Sequence, residues 1–460
     1  MSDWLSVIPP LLAIAVVLWK KEVILALLIA IFSSELLILL SGSEQQALTG
    51  FALAGIERIV NVFASGGNAR ILVFSLLVGA LLAFMRHSGG VTATVNYLVE
   101  KGLSGNARRS RFLAFFTGVF IFIESNLSVL MAGILSRGLF DKFKMSRARL
   151  AYIIDSTSAP ICILILMNGW GAYVLGLLGS YELDQSPVSV LIQTIPLNFY
   201  AIITLAIVLY TIIADKTHGP MKQAELEQHK SQKHLELDIP ASKPRYMLVP
   251  LLTMSFSMVA FMFITGNGDF TAGSGSKSVL YATSLACIVA YAMMVGSKRF
   301  NHKQMTELSF KGMAELLPLV TIVLFSLALG ASLKQLGTGV FISGLVAESL
   351  PYFLIPAAIF IAGGLMSFST GTSWGTFAIL IPIGMPLVTH LGLPAPLILA
   401  AILGGGIFGD HCSPISDTTA VSAVASGCDL LEHVKTQLPY ALVAGGLTVI
   451  AYLIAGLTLI

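Results

Sequence analysis

Long apolar runs alternate with short polar ones along almost the whole chain, and the polar clusters inside the runs carry most of the information. Windows of spanning length, about 17–25 residues, fall near 5–19, 23–40, 71–86, 112–136, 148–178, 188–214, 246–265, 278–296, 316–334, 351–388, 396–427 and 438–460. They predict membrane-crossing helices. Two windows are broken in the middle, 112–136 by Glu124-Ser125-Asn126 and 351–388 by the polar run Ser367 to Ser373. Two others carry a polar stretch of their own, Asp155 to Pro160 within 148–178 and Asp410 to Thr419 within 396–427. The first window has no basic residues ahead of it and no small-residue cleavage site, so it reads as a retained helix, not a signal peptide.

The basic residues explain the two broken windows. Arg86, Lys101, Arg108, Arg109 and Arg111 precede window 112–136, and Arg137, Lys142, Lys144, Arg147 and Arg149 follow it. Basic loops belong on the cytoplasmic side, so one crossing between them would put a basic loop outside. A re-entrant hairpin keeps both inside, and irregular backbone at its tip is tolerated where it is buried in protein or lines an aqueous cavity. With 351–388 read the same way, only Arg58, Arg70, Lys277 and Lys334 of the 27 basic residues fall outside.

This topology predicts an all-α polytopic membrane protein of two inverted repeats, with about 10 spanning helices plus 2 hairpins. Residues 1–214 form the first repeat, with hairpin 112–136 and broken helix 148–178. Residues 215–245 form a polar cytoplasmic linker containing His218, His229 and His234, and 246–460 the second repeat, with hairpin 351–388 and broken helix 396–427. In both repeats the polar stretch after the hairpin is expected to interrupt its helix. Segments 45–65 and 89–104 look amphipathic and are expected to lie at the interface.

Composition narrows the class. The chain of 460 residues is 56% hydrophobic and 11% charged, with mean hydropathy +0.86, against about 25% charged residues in soluble domains. All four cysteines, Cys162, Cys287, Cys412 and Cys428, sit in or beside apolar windows, which suggests buried hydrophobes and no disulfide framework. Intramembrane hydrolysis is excluded on motif: Phe408-Gly409-Asp410 approaches the Gly-x-Gly-Asp pattern of intramembrane aspartyl proteases, but Ile407 stands in place of the first glycine, and there is no His-Glu-x-x-His. The chain is not expected to be an enzyme, and a channel is the less economical alternative.

The interior charges are acids: Glu124, Asp155, Asp410 and Asp417, with His411 beside them and no buried Lys or Arg to match. A carboxylate at the bilayer centre costs roughly 2.5–3.5 kcal/mol on insertion scales and marks a pathway or an ion site. At 1.5 Å per residue, Asp155 lies about 12 Å deep from one face and Asp410 about 21 Å from the other. Gly409 and Pro414 can unwind the helix around the Asp410–Asp417 pair, and freed carbonyls with Asp, Ser and Thr oxygens suit a hard cation such as Na⁺. Asp155, Asp410 and Asp417 are therefore the candidate Na⁺ and proton ligands, with Glu124 as a further acid. The candidate shell is Ser125, Asn126, Ser156, Thr157, Ser369, Thr370, Thr372, Ser373, His411, Ser413, Ser416, Thr418 and Thr419.

Three strings carry a family resemblance: Arg147 to Pro160, Ser369 to Thr376, and Gly409 to Thr419 followed by Gln437-Leu438-Pro439-Tyr440. They resemble the NhaC-type sodium/proton antiporter family, which belongs to a wider ion-transporter group similar to the dicarboxylate/sodium symporters. The resemblance implies paired hairpins, broken helices and exchange of Na⁺ for H⁺; some relatives move organic or amino acids instead. Many relatives have Asp-Asp-Tyr where this chain has Glu124-Ser125-Asn126, which removes one carboxylate and favours an organic co-substrate.

The reading is a multi-pass transporter of the cell (inner) membrane that exchanges Na⁺ and H⁺ by alternating access. The alternative is Na⁺-coupled symport or exchange of a small amino acid or organic acid. No cofactor and no nucleic-acid partner are expected; lipid surrounds the protein, and a homodimer is compatible with it. The geometric expectation is that Asp155 and Asp410 meet inside the bundle, and coordinates that put either against acyl chains overturn it.

Overall fold

A computed structural model describes residues 3–20, 22–41, 50–90, 92–94, 97, 105–122, 125–165, 168–227, 240, 242–270 and 272–460. Glu124, His229, His234 and most of the amphipathic segment 89–104 lie outside the described residues, as does part of 45–65. The first half contains α1 (Ile8–Lys20), α2 (Val23–Ser41), α3 (Gly50–Val60), α4 (Gly66–His87), α5 (Ala107–Phe120), α6 (Ser125–Lys142), α7 (Arg147–Leu164), α8 (Gly169–Leu178), α9 (Pro187–Gln193) and α10 (Phe199–Ile213). A short α11 (Gly219–Leu226) follows. The second half contains α12 (Arg245–Thr265), α13 (Gly275–Gly296), α14 (His302–Leu336), α15 (Thr338–Ser349), α16 (Ile355–Thr370), α17 (Ser373–Leu391), α18 (Ala395–Cys412), α19 (Asp417–Ser426) and α20 (Leu430–Leu459). No strand occurs among the described residues, and nine of the described helices are long and apolar enough to span a membrane.

Burial ranks the helices. The spanning window of α18 is 89% buried, whereas those of α12, α13 and α20 are 33% buried. The helix bearing Asp410 is thus the centre of the bundle, and the outer helices turn apolar side chains such as Phe256, Ile288 and Leu457 outward. Such faces are what a lipid solvent requires.

Both broken windows contain two helices that touch, α5 with α6 and α16 with α17. The second turns at Gly371, whose φ of 67° is left-handed and open to glycine without strain. α7 and α8 are bent by 48°, and α18 and α19 are separated by Ser413–Ser416.

Three expectations need correction. Asp155 to Pro160 does not interrupt its helix, since α7 runs through it to Leu164. The hydroxyls there satisfy their own helix, with Thr157 Oγ1 donating to the Ile153 carbonyl (2.7 Å) and Ser158 Oγ to the Asp155 carbonyl (3.0 Å). α7 ends at Leu164 instead, and Asn168 caps α8, which begins at Gly169. Window 188–214 is not one helix but α9 and α10, separated by a turn that contains Pro196. The linker is not a wholly solvated loop: α11 buries Met221, and Asp215 pairs with the buried Arg111 and with Arg149 (3.2 Å).

Contacts across the bundle group the loops as their charges do. Arg86 meets Glu315, Arg147 Nη1 reaches the Gly427 carbonyl, and Tyr440 accepts from the His218 N–H. Arg58 pairs with Glu35 and reaches Gln335, both on the side assigned outside.

The helices α4 and α14 cross at Gly79 and Gly312, each lying against the backbone carbonyl of the other with no room for a Cβ. Gly79→Ala should therefore cost about 1–3 kcal/mol through overpacking. Gly344→Ala, in open space on α15, should leave stability level or slightly raised. Thermal unfolding of the two purified variants checks this, and equal melting temperatures would refute the tight crossing.

Candidate functional site

Two helix breaks and helix ends from both broken windows meet around Asp155 and Asp410, and side chains pin each break. In the first half Asn168 accepts from the Gly171 N–H (3.0 Å) and donates to the carbonyls of Phe122 (2.9 Å), Cys162 (2.7 Å) and Ile165 (2.8 Å). One amide thus caps α8, ends α7 and ties both to the first hairpin. In the second half Ser413 Oγ donates to the Phe368 carbonyl (2.7 Å), tying the α18–α19 break to the second hairpin. Ser416 caps α19 by accepting from the Thr419 N–H (3.3 Å). Gly409 gives the close approach this needs, since a Cβ there would strike the Gly364 carbonyl.

Asp155 is fully buried on α7. Its Oδ1 accepts from Ser422 Oγ (3.1 Å) and its Oδ2 from Gln437 Nε2 (2.6 Å). His433 Nε2 lies 3.4 Å from Oδ2 without hydrogen-bond alignment. The Gln437 amide also donates to the His411 carbonyl (2.9 Å), which joins Asp155 to the residue after Asp410. His411 Nδ1 meets the Tyr200 hydroxyl at 3.0 Å, and its Nε2 is buried without a partner among the described residues.

Asp410 lies in the last turn of α18 at 1% exposure. Its Oδ2 accepts from Thr418 Oγ1 (3.2 Å), which in turn meets Ser416 Oγ (3.0 Å), and Thr419 Oγ1 donates to the Asp410 carbonyl (3.4 Å). Its other carboxylate oxygen, Oδ1, has no partner among the described residues. A buried carboxylate oxygen left bare is costly and is the kind of exception that calls for a ligand, ion or proton.

Asp417 starts α19 and is accessible. It accepts from the Thr418 N–H (2.9 Å) and from Asn126 Nδ2 of the first hairpin (3.4 Å). Its accessible side opens into a cavity of about 260 Å³ between these elements and helices α4 and α14. The N-terminal residues of four helices line this cavity: Ser125 of α6, Gly169 of α8, Ser373 of α17 and Asp417 of α19. Helix N-termini carry a partial positive charge, which here offsets the acids.

The expected residues divide into three groups. Asp155, Asp410, Asp417, His411, Ser416, Thr418 and Thr419 share one network, with Asn126 at its edge. Ser125, Thr372 and Ser373 line the cavity. Ser369 Oγ and Thr370 Oγ1 instead bond carbonyls of their own helix (2.8 and 3.0 Å), while Ser413 serves the hairpin tie. Ser156 is buried on α7, and Thr157 faces Gly118 of α5. Sequence reasoning missed Tyr200, Ser422, His433 and Gln437. His433 and Gln437 are four residues apart on α20, hence on one helix face, but Lys435 between them marked the stretch as a loop end. No three His, Cys, Asp or Glu side chains converge as a metal-binding group among the described residues. The oxygens offered to a cation are therefore carboxylates mixed with hydroxyls.

A family model described as the Na⁺/H⁺ antiporter family matches residues 161–457. An uncharacterized protein of Haemophilus influenzae is 30% identical over 99% of this chain and 91% of its own length. The malate-2H⁺/Na⁺-lactate antiporter of Bacillus subtilis is 32% identical over 37% of each chain. Among solved structures, the Alcanivorax borkumensis YdaH transporter superposes with a TM-score of 0.61 over 89% of each chain at 14% identity, a likeness of fold.

Replacing Gln437 by Leu removes donors to both Asp155 and the His411 carbonyl, at about 1–3 kcal/mol for each buried group left unpaired. The variant should unfold at lower temperature and transport at least tenfold more slowly, measured on purified and reconstituted protein. Wild-type rates would show that the amide does not organise the network.

Proposed function

This chain belongs to the Na⁺/H⁺ antiporter family and is a multi-pass secondary transporter; on that premise we propose that it exchanges Na⁺ for H⁺ across the cell (inner) membrane through the Asp410–Asp417 pair and Asp155. The bare Oδ1 of buried Asp410 carries the reading. A cation there would complete the pairing of a carboxylate that has one hydroxyl donor. Thr418, Ser416 and Asp417 supply neighbouring oxygens of the hard type that Na⁺ prefers. Of the three acids Asp155, Asp410 and Asp417, Asp417 is the one that lines the cavity and can meet an arriving ion.

Asp155 has a different surrounding. Donors already serve both of its oxygens, and an imidazole sits beside it. Those donors stabilise the charged carboxylate and leave it less room for a metal than Asp410 has. The Gln437 amide and the His411 carbonyl connect it to the cation side, so occupancy of one acid is felt by the other. Exchange follows if the carrier reorients only when the acids are neutralised, by Na⁺ in one direction and by protons in the other. The hairpin-bearing elements are the parts that would move relative to the α4–α14 wall.

Asp410→Asn keeps the shape and removes the charge. In proteoliposomes under an imposed pH gradient it should lower Na⁺-dependent proton flux at least 100-fold while the purified variant remains folded by size-exclusion elution. Flux and Na⁺ dependence like the wild type would place the cation elsewhere.

A further inference from the structure

A second cavity, of about 370 Å³, lies at the far end of the helices that wall the first. We propose that it is the other mouth of the cation's path, and that the seam of α14 against α8 and α17, between the two cavities, is the closed gate. This rests on the reading that a cation meets Asp417 in the first cavity, and adds the route that connects it to the opposite face.

The same three elements line both cavities. On α14 the nearest lining residues are Ile322 for the first and Gly330 for the second, and on α17 they are Trp374 and Pro382. Each pair is eight residues apart, about 12 Å of helix. α8 meets the first cavity at Trp170, and Tyr181, just past its end, meets the second. Glu315 and Lys334, one from each cavity, are both exposed and lie about 28 Å apart along α14, close to the 30 Å of a hydrocarbon core. The plug of about 12 Å is thus what separates two openings on opposite faces. It is closed onto one face of α17: Tyr173 of α8 donates to the Trp374 carbonyl (3.2 Å), and Ser326 of α14 to the Ala378 carbonyl (2.7 Å). Those carbonyls are four residues apart, hence on one helix face. Val323, Ser326, Phe377 and Ala378 are at most 1% exposed and line neither cavity. Side chains and their hydrogen bonds can turn aside to part this seam, whereas the main-chain crossing of Gly79 and Gly312 has none to turn.

Charge distinguishes the two ends. α8, α14 and α17 all run from the first cavity toward the second. The first holds Asp417 and Glu315 beside four helix N-termini, and Arg86 engages Glu315. The second receives the C-terminal turns of α14 and α17, whose carbonyls carry partial negative charge. Together with Glu182 they offset Lys334, His390 when protonated, and the N-terminus of α15. Balanced charge suits a mouth that a cation crosses, since an ion held tightly there would not leave.

The test places Ser326→Cys in the plug and Thr389→Cys in the second cavity of the full-length protein. Right-side-out and inside-out membrane vesicles, from cells without Na⁺/H⁺ antiporters of their own, present either face to a membrane-impermeant maleimide. Mass spectrometry of the peptides reads modification at position 326 or 389 alone, so the native cysteines do not count. Maleimide should reach Thr389→Cys from one face, and the adduct should slow Na⁺ exchange at least tenfold. From that same face it should modify Ser326→Cys at least tenfold faster while Na⁺ and a pH gradient drive turnover than in K⁺ without a gradient. Ala378→Cys, on the facing wall, is read in the same way if Ser326→Cys does not fold. Equal labelling at rest and during turnover, in a variant that exchanges Na⁺, overturns the inference and leaves the Na⁺/H⁺ reading standing. Undiminished Na⁺ exchange after full modification of Thr389→Cys also overturns it. Absence of Na⁺ exchange in the wild type is instead the failure of the Na⁺/H⁺ reading.

Discussion

Backbone N–H and C=O groups in hydrocarbon have no water to bond, and each one left unpaired costs several kcal/mol. A membrane protein that stops a helix halfway must therefore supply side chains to close the ends. Here Asn168 and the Ser413–Ser416 pair do so at the two breaks, and Thr372 does so at the second hairpin. The rest of the interior follows from those caps. These amides and hydroxyls are committed to backbone, and among the described residues the Oδ1 of Asp410 is left bare. The capping that lets the helices break also leaves the site short of ligands of its own.

The same logic separates the acids. Asp155 sits in an unbroken helix and draws its donors from neighbouring elements, Ser422 of α19 and Gln437 of α20. Asp410 and Asp417 sit on either side of a break and draw on local hydroxyls and on the first hairpin. Each half of the chain thus reaches across to complete the other: α7 depends on α19 and α20, and Asp417 depends on Asn126. Interlocking of this kind makes the site sensitive to any relative shift of the hairpins.

Much of this was legible in the sequence, for physical reasons. Acids in long apolar runs are too costly to be incidental, so Asp155, Asp410 and Asp417 stood out. Contacts such as Arg86–Glu315 and Arg147–Gly427 join segments that the basic residues had grouped together. What misled was the equation of polarity with interruption. In Asp155 to Pro160 the hydroxyls bond their own helix, whereas the end of α7 at Leu164 and the start of α8 at Gly169 depend on Asn168, a single Asn in an apolar setting. Gln437 and His433 were hidden by their neighbour Lys435, since a residue's face on a helix is not visible until the helix ends are known. The start of the linker misled for a different reason. Asp215 is an ordinary surface acid in sequence and becomes structural only beside the Arg111 and Arg149 side chains.

The contact between Gly79 and Gly312 limits how the cavity can open. Two main chains in direct apposition, with no side chain between them to rotate aside, form a stiff seam, and the wall formed by α4 and α14 cannot swell to admit a bulkier solute. Any widening has to come from displacement of the opposite side, where the hairpin tips sit. The cavity is therefore bounded on one side by this stiff seam and on the other by the helix ends around Asp417.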